Sequence, residues 1–291
     1  MKGYYMNSGE IGSSKPLPVI LDTDIGDDID DTWALAMLLG LTDKVELKLI
    51  VTAVGDTTAK TRLVARILER TARTDIPVAT GLKTGNAPLN QSAWLGDWDL
   101  GGYAGIVQED GVGELIESVL SSPERITILA IGPQTNLAEA LRREPAIAEN
   151  ARIVAMAGSV RLGYRGREGR DAEYNIKADI TAARMVLAAP WDITWTPLDT
   201  CGNVLLAGAD YRRVKESQSA LAHTVIENYD AWKNRADHPA DSSSVLFDTV
   251  AAYLAFDESF LEMEAVPIRI DDEGFTVPDP CLLYTSDAAR R

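Results

Sequence analysis

Histidine and cysteine are both scarce, with two of each in 291 residues. The cysteines, Cys201 and Cys281, make no disulfide framework, so a reducing compartment and a cytoplasmic location are expected. The histidines, His223 and His238, leave few candidates for a proton donor near neutral pH. Basic residues are short as well. With 28 Lys and Arg against 44 Asp and Glu, the formal net charge is −16. That balance argues against a nucleic-acid polymer or an anionic membrane as partner, and favours a small ligand or a site that holds a metal. No stretch approaches the ~20 apolar residues of a membrane span. The start, "MKGYYMNSGEIGSSKP", lacks an apolar signal-peptide core, and residues 1–15 read as a flexible leader. The end, "CLLYTSDAARR" (281–291), resembles the translation of a transposon-adapter end and reads as a non-native tail, with an ordinary polar tail as the other reading. Residues 16–280 are expected to form one domain, and their apolar content is enough for a full core.

What the chain does have is alternation. The β-branched runs "PVILD" (17–22), "VELKLIVTAV" (45–54), "IPVATG", "ITILAIG" (126–132), "RIVAMAG" (152–158) and "DITWTPLD" (192–199) are separated by segments with helical period. Continuous apolar strands joined by helices are what a mostly parallel sheet covered on both faces requires. The fold class is therefore a doubly wound α/β domain, with a mostly helical stretch from about 203 to 256. In such sheets ligands sit beyond the carboxyl ends of the strands.

The first strand ends in "LDTDIGDDIDDTWAL", which places six aspartates between Asp22 and Asp31. Gly26 permits a sharp turn there. Helix capping explains one or two of the carboxylates. Six crowded carboxylates repel and take up protons unless a cation joins them. All-oxygen ligands select a hard ion, calcium or magnesium. The spacing is not that of an EF-hand, because the glycine comes too early and the terminal glutamate is missing. Asp248, in the apolar helix "SSSVLFDTVAAYL", is a second sign of a metal, since a lone buried carboxylate is costly.

"DTDIGDDIDDTWAL" resembles the N-terminal signature of the inosine-uridine-preferring nucleoside hydrolases. The likeness continues through "AVGDTTAKTR", "LAIGPQTNLAEAL", "MAGSV", "EYNIKADITAA" and "SSSVLFDTVAAYL", in order and at loop positions. It implies a calcium-dependent N-ribohydrolase, a nucleoside as the small-molecule partner, and a homodimer or homotetramer. By the same resemblance, Asp24 would bind calcium and act as general base on a water. Asp31, Asp248 and the backbone carbonyl of Thr135 would complete the metal's ligands. Asp30 would accept from a ribose hydroxyl, with Asp22 behind it. Glu173 and Asn175 would grip the sugar, and Met156 would pack beneath it. Other readings stand beside these: Glu173 and Asn175 as loop polars, Met156 as core, and Asn136 as a helix cap.

Three departures bear on the chemistry. The Asp-Asp pair comes two residues late, so Asp28 competes with Asp30 for the ribose. Asp56 stands where the family carries asparagine, adding negative charge near the sugar. Phe247 occupies the position of a histidine that would protonate the leaving base. His238 could approach the base from a loop, and Trp94 and Trp98 could stack on a purine; a bystander histidine and loop anchors are the plainer readings. Two alternatives remain open: a non-catalytic or altered-specificity ribosyl-binding protein on this scaffold, and a magnesium-dependent haloacid-dehalogenase-like phosphatase.

Overall fold

Seven strands pair into one sheet in the computed structural model, which describes residues 15–279. The strands are β1 (Leu17–Thr23), β2 (Val45–Thr52), β3 (Val78–Thr80), β4 (Val107–Gln108), β5 (Ile126–Ala130), β6 (Ala151–Met156) and β7 (Asp192–Thr196). Their order is β4-β3-β2-β1-β5-β6-β7, and every neighbouring pair is parallel. The expected leader (apart from Lys15) and tail, with Cys281, lie outside the described residues. Among the described residues no helix is long and apolar enough to cross a membrane.

Alternation along β1 fixes the two layers, because successive side chains leave opposite faces of a strand. Val19 and Leu21 join one core cluster and Ile20 the other. The first face is covered by α1 (Asp30–Gly40) and α2 (Thr57–Arg70). A one-turn helix, α3 (Ser92–Leu95), follows, and then α4 (Gly111–Ser121) and α5 (Thr135–Arg143) cover the second face. Short α6 (Ile147–Asn150) leads into β6, α7 (Tyr174–Ala178) and α8 (Ile180–Ala188) into β7, and α9 (Leu198–Cys201) out of it. The expected helical stretch contains α10 (Gly208–Lys215), α11 (Ala220–Ala231) and α12 (Phe247–Leu254). A hairpin, β8 (Ile268–Ile270) with β9 (Thr276–Pro278), ends the described chain. β4 and this hairpin were not anticipated, since two- and three-residue strands are too short to show a period.

β1 lies between β2 and β5, so the winding reverses at its carboxyl end. A crevice opens at such a point. The aspartate turn leaves β1 there, beside the ends of β5 and β6.

Candidate functional site

The turn after β1 is shaped by two glycines. Gly26 has φ +113°, a region that side chains other than glycine's rarely adopt. Gly132, past the end of β5, lies so close to the turn that a Cβ on it would meet Asp24 N at 2.8 Å. Helix capping explains none of the carboxylates on α1. Its cap position is Ile29, with no side-chain cap bond, and the Asp28 carboxylate accepts from its neighbour Ile29 N, at 2.7 Å. Asp27 is used differently, accepting from Asn90 Nδ2 at 2.9 Å.

Asp30 and Asp31 instead face Asp248 on α12. All three are buried, and carboxylate oxygens of the three lie within 4.8 Å of one another. Thr23 Oγ1 donates to Asp31 and orients it. Burial first, then the neighbouring negative charges, raises all three well above the ordinary carboxylate range. Asp24 is raised to about 6 by burial and by Asp27 and Asp28, against the opposing charge of Lys60. Buried anions of this kind need a partner. Three converging carboxylates form a donor set that fits one hard divalent cation.

The sequence reading missed Lys60. From α2 it is almost wholly buried, and its Nζ donates to the backbone carbonyls of Asp24 at 2.5 Å and Ala53 at 3.2 Å. It thereby ties the aspartate turn to the end of β2 and sets a positive charge beside the cluster. Lys60→Met leaves both carbonyls buried without a donor and should destabilise the metal-free protein by about 1–3 kcal/mol, read from the urea midpoint.

The cluster forms one wall of a cavity of about 250 Å³. Of the expected residues, Asp24, Asp28, Asp30, Asp31, Met156, Glu173, Asn175 and Asp248 line it. Asp28 is solvent-exposed and Asp30 buried, so the two carboxylates that compete for a ribose hydroxyl differ in setting. Glu173 caps α7: it accepts from Asn175 N at 2.8 Å, Ile176 N at 3.2 Å and Gly158 N at 2.9 Å. Burial pushes it to about 7. Asn175 donates through Nδ2 to the carbonyls of Ile131, at 3.1 Å, and Met156, at 3.0 Å. Its Oδ1 is therefore the atom left for a ligand. Neither residue is a plain loop polar. Met156 is both core and cavity wall.

Asp22 stands behind the cluster, fully buried and raised to about 7 by burial. Its Oδ1 accepts from Asn136 Nδ2 at 2.7 Å. Asn136 is not the expected cap, because it is the second residue of α5. It also donates to Thr52 O at 3.1 Å and accepts from Leu82 N at 2.9 Å, joining β1, β2 and the loop after β3.

Besides Asp22, five expected residues do not line the cavity. Thr135 opens α5, with its hydroxyl donating to Asp179 at 2.9 Å. Asp56 is exposed and caps α2, accepting from Ala59 N at 3.2 Å. Trp94 lies under Arg66, 4.5 Å from the ring centroid, and Trp98 donates to Glu69 at 2.9 Å, so both anchor their loop to α2. His238 stacks on Trp232 at 5.5 Å, and Trp232 donates to Asp27 O at 3.0 Å. The lining residues that sequence reasoning did not name are Ile131, Tyr164, Tyr174 and Asn234, and it gave Asp27 no role beyond the aspartate cluster. Their only signal was position at strand and helix ends.

A family model described as inosine-uridine preferring nucleoside hydrolase matches residues 19–283. The inosine-uridine preferring nucleoside hydrolase of Crithidia fasciculata is 29% identical over 276 residues, 89% of this chain and 85% of the relative. The pyrimidine-specific ribonucleoside hydrolase RihA of Enterobacter sp. (strain 638) is 34% identical over 229 residues, covering 74% of this chain and 70% of the relative. Among solved structures, the purine-preferring ribonucleoside hydrolase from Gardnerella vaginalis superposes with a TM-score of 0.74. It is 23% identical, with 92% of this chain and 90% of that chain covered, a likeness that speaks to the fold.

Proposed function

The chain belongs to the inosine-uridine preferring nucleoside hydrolase family, and from that premise we propose how its residues divide the work of splitting a ribonucleoside into ribose and free base. Residues 16–280 are taken as the catalytic domain, in a cytoplasmic homodimer or homotetramer. Membership leaves no place for the phosphatase alternative. The observation that carries the proposal is the convergence of Asp24, Asp30, Asp31 and Asp248 on one cavity that Asn175 and Glu173 also line.

Of the converging carboxylates, Asp31 and Asp248 would hold the metal with Asp24 beside them. The carbonyl of Thr135, at the start of α5 and outside the cavity lining, would be the further ligand that the family resemblance implies. Calcium suits this set, because it accepts many oxygen ligands in flexible geometry. When bound, it supplies Lewis acidity toward a water and a common anchor for the ribose diol. Asp24 accepts the proton of the attacking water, the part of a general base. Asp30 accepts from a ribose hydroxyl in the buried wall, and Asp28 guards the mouth. Asn175 accepts a second sugar hydroxyl through Oδ1. Glu173 holds α7, and with it Asn175, in place.

The test is a panel of purine and pyrimidine ribonucleosides with a reducing-sugar readout in the presence of calcium. Ribose release from at least one is expected. Binding of nucleosides without ribose from any would instead favour the non-catalytic reading.

A further inference from the structure

When the C1′–N bond breaks, its electron pair goes to the base, and a hydrogen-bond donor that meets this charge speeds departure. The cavity wall is rich in carboxylates, which accept rather than donate when ionised. Its neutral donors are Tyr164, Tyr174, Asn175 and Asn234. Two of these are committed. Both amide hydrogens of Asn175 go to the carbonyls of Ile131 and Met156. The Tyr174 hydroxyl lies beside the Asp27 carboxylate, which competes for its proton. Tyr164 differs. Its hydroxyl oxygen accepts from Tyr174 N at 3.3 Å, and among the described residues its proton has no acceptor. Its ring stands edge-on to Phe247 with centroids 6.0 Å apart and planes at 87°, which fixes its direction. Asn234 can donate a hydrogen bond, but an amide is the weaker donor to a developing anion.

We propose that Tyr164 is the catalytic residue that donates to the departing nucleobase, a role that rests on the hydrolase reading above. The electron pair of the C1′–N bond collects on a base heteroatom, and the phenol O–H meets it there with a hydrogen bond. Water supplies the new hydroxyl on C1′, and its second proton, taken up by Asp24 and returned through solvent, ends on the base. Burial first, then the charge of Glu173, holds the phenol above its ordinary range, so it stays protonated at working pH.

The experiment compares Tyr164→Phe with wild type on inosine, uridine and p-nitrophenyl riboside, whose nitrophenolate leaves as a stabilised anion. Loss of the donor should lower kcat on the nucleosides by about 10²-fold while nitrophenyl turnover and all KM values stay within roughly threefold. Equal losses on both substrate types overturn the proposal, because they mark a structural role for the residue. Unchanged nucleoside turnover overturns it too, as does a nucleoside-selective loss in Tyr174→Phe with none in Tyr164→Phe. Wild-type protein that releases ribose from none of the three overturns the hydrolase reading instead, so the two failures are distinct.

Discussion

Asp24→Asn should turn over ribonucleosides at least ~10²-fold more slowly than wild type, with KM and the melting temperature little changed. An asparagine keeps the shape and one acceptor oxygen but cannot take a proton from water. The backbone of residue 24 is held independently of its side chain, by Lys60 Nζ on the carbonyl and by the close approach of Gly132. The turn should therefore survive the change. Steady-state kinetics with circular dichroism would check this, and wild-type kcat in a folded variant would mean that the water is activated elsewhere.

Chelation should lower the stability of the protein, and more at pH 8 than at pH 5. Without a cation, burial and mutual repulsion raise Asp30, Asp31 and Asp248, and Asp22 and Glu173 are raised to about 7. Each group binds its proton more tightly folded than unfolded. Its contribution is complete below the unfolded carboxylate value of ~4 and is lost as pH rises through the folded value. Metal-free protein should therefore lose stability as pH rises above ~4, with the share of Asp22 and Glu173 lost through pH ~7. A divalent ion competes with the protons on Asp31 and Asp248, so its affinity should grow as pH rises. At about a thousand times its dissociation constant, calcium should add ~4 kcal/mol. Calorimetry and thermal melts with and without chelator would measure both. Asp31→Ala should lose the calcium increment; an unchanged increment would remove Asp31 from the ligand set.

Local sequence made part of this site legible. Asp22 lies near the end of a strand, Asp24 follows it and Asp30 and Asp31 open the next helix, so their meeting place is set by the period of those elements. Glu173 and Asn175 sit two residues apart at a helix start, where a cap and its neighbour face one cavity. Asp248 stood out by chemistry, as a carboxylate in an apolar helix. Lys60 gave no such sign, because a lysine on an amphipathic helix ordinarily lies on the solvent side.

The sequence by itself determined the α/β alternation and the acidic character of what gathers at the carboxyl end of the first strand. Both follow from side-chain period and from charge, which are local properties; that β1 lies between β2 and β5 was decided by the tertiary structure. Only the tertiary structure decided what completes the cavity. Trp94 and Trp98 turn to Arg66 and Glu69 of α2, and His238 turns to Trp232. Tyr164 and Asn234 face the ligand space in their stead. These choices depend on which loop packs against which helix across long sequence separations. An aromatic residue in a loop gains similar burial from an anchor or from a cavity wall, and the surrounding helices settle which of the two it becomes.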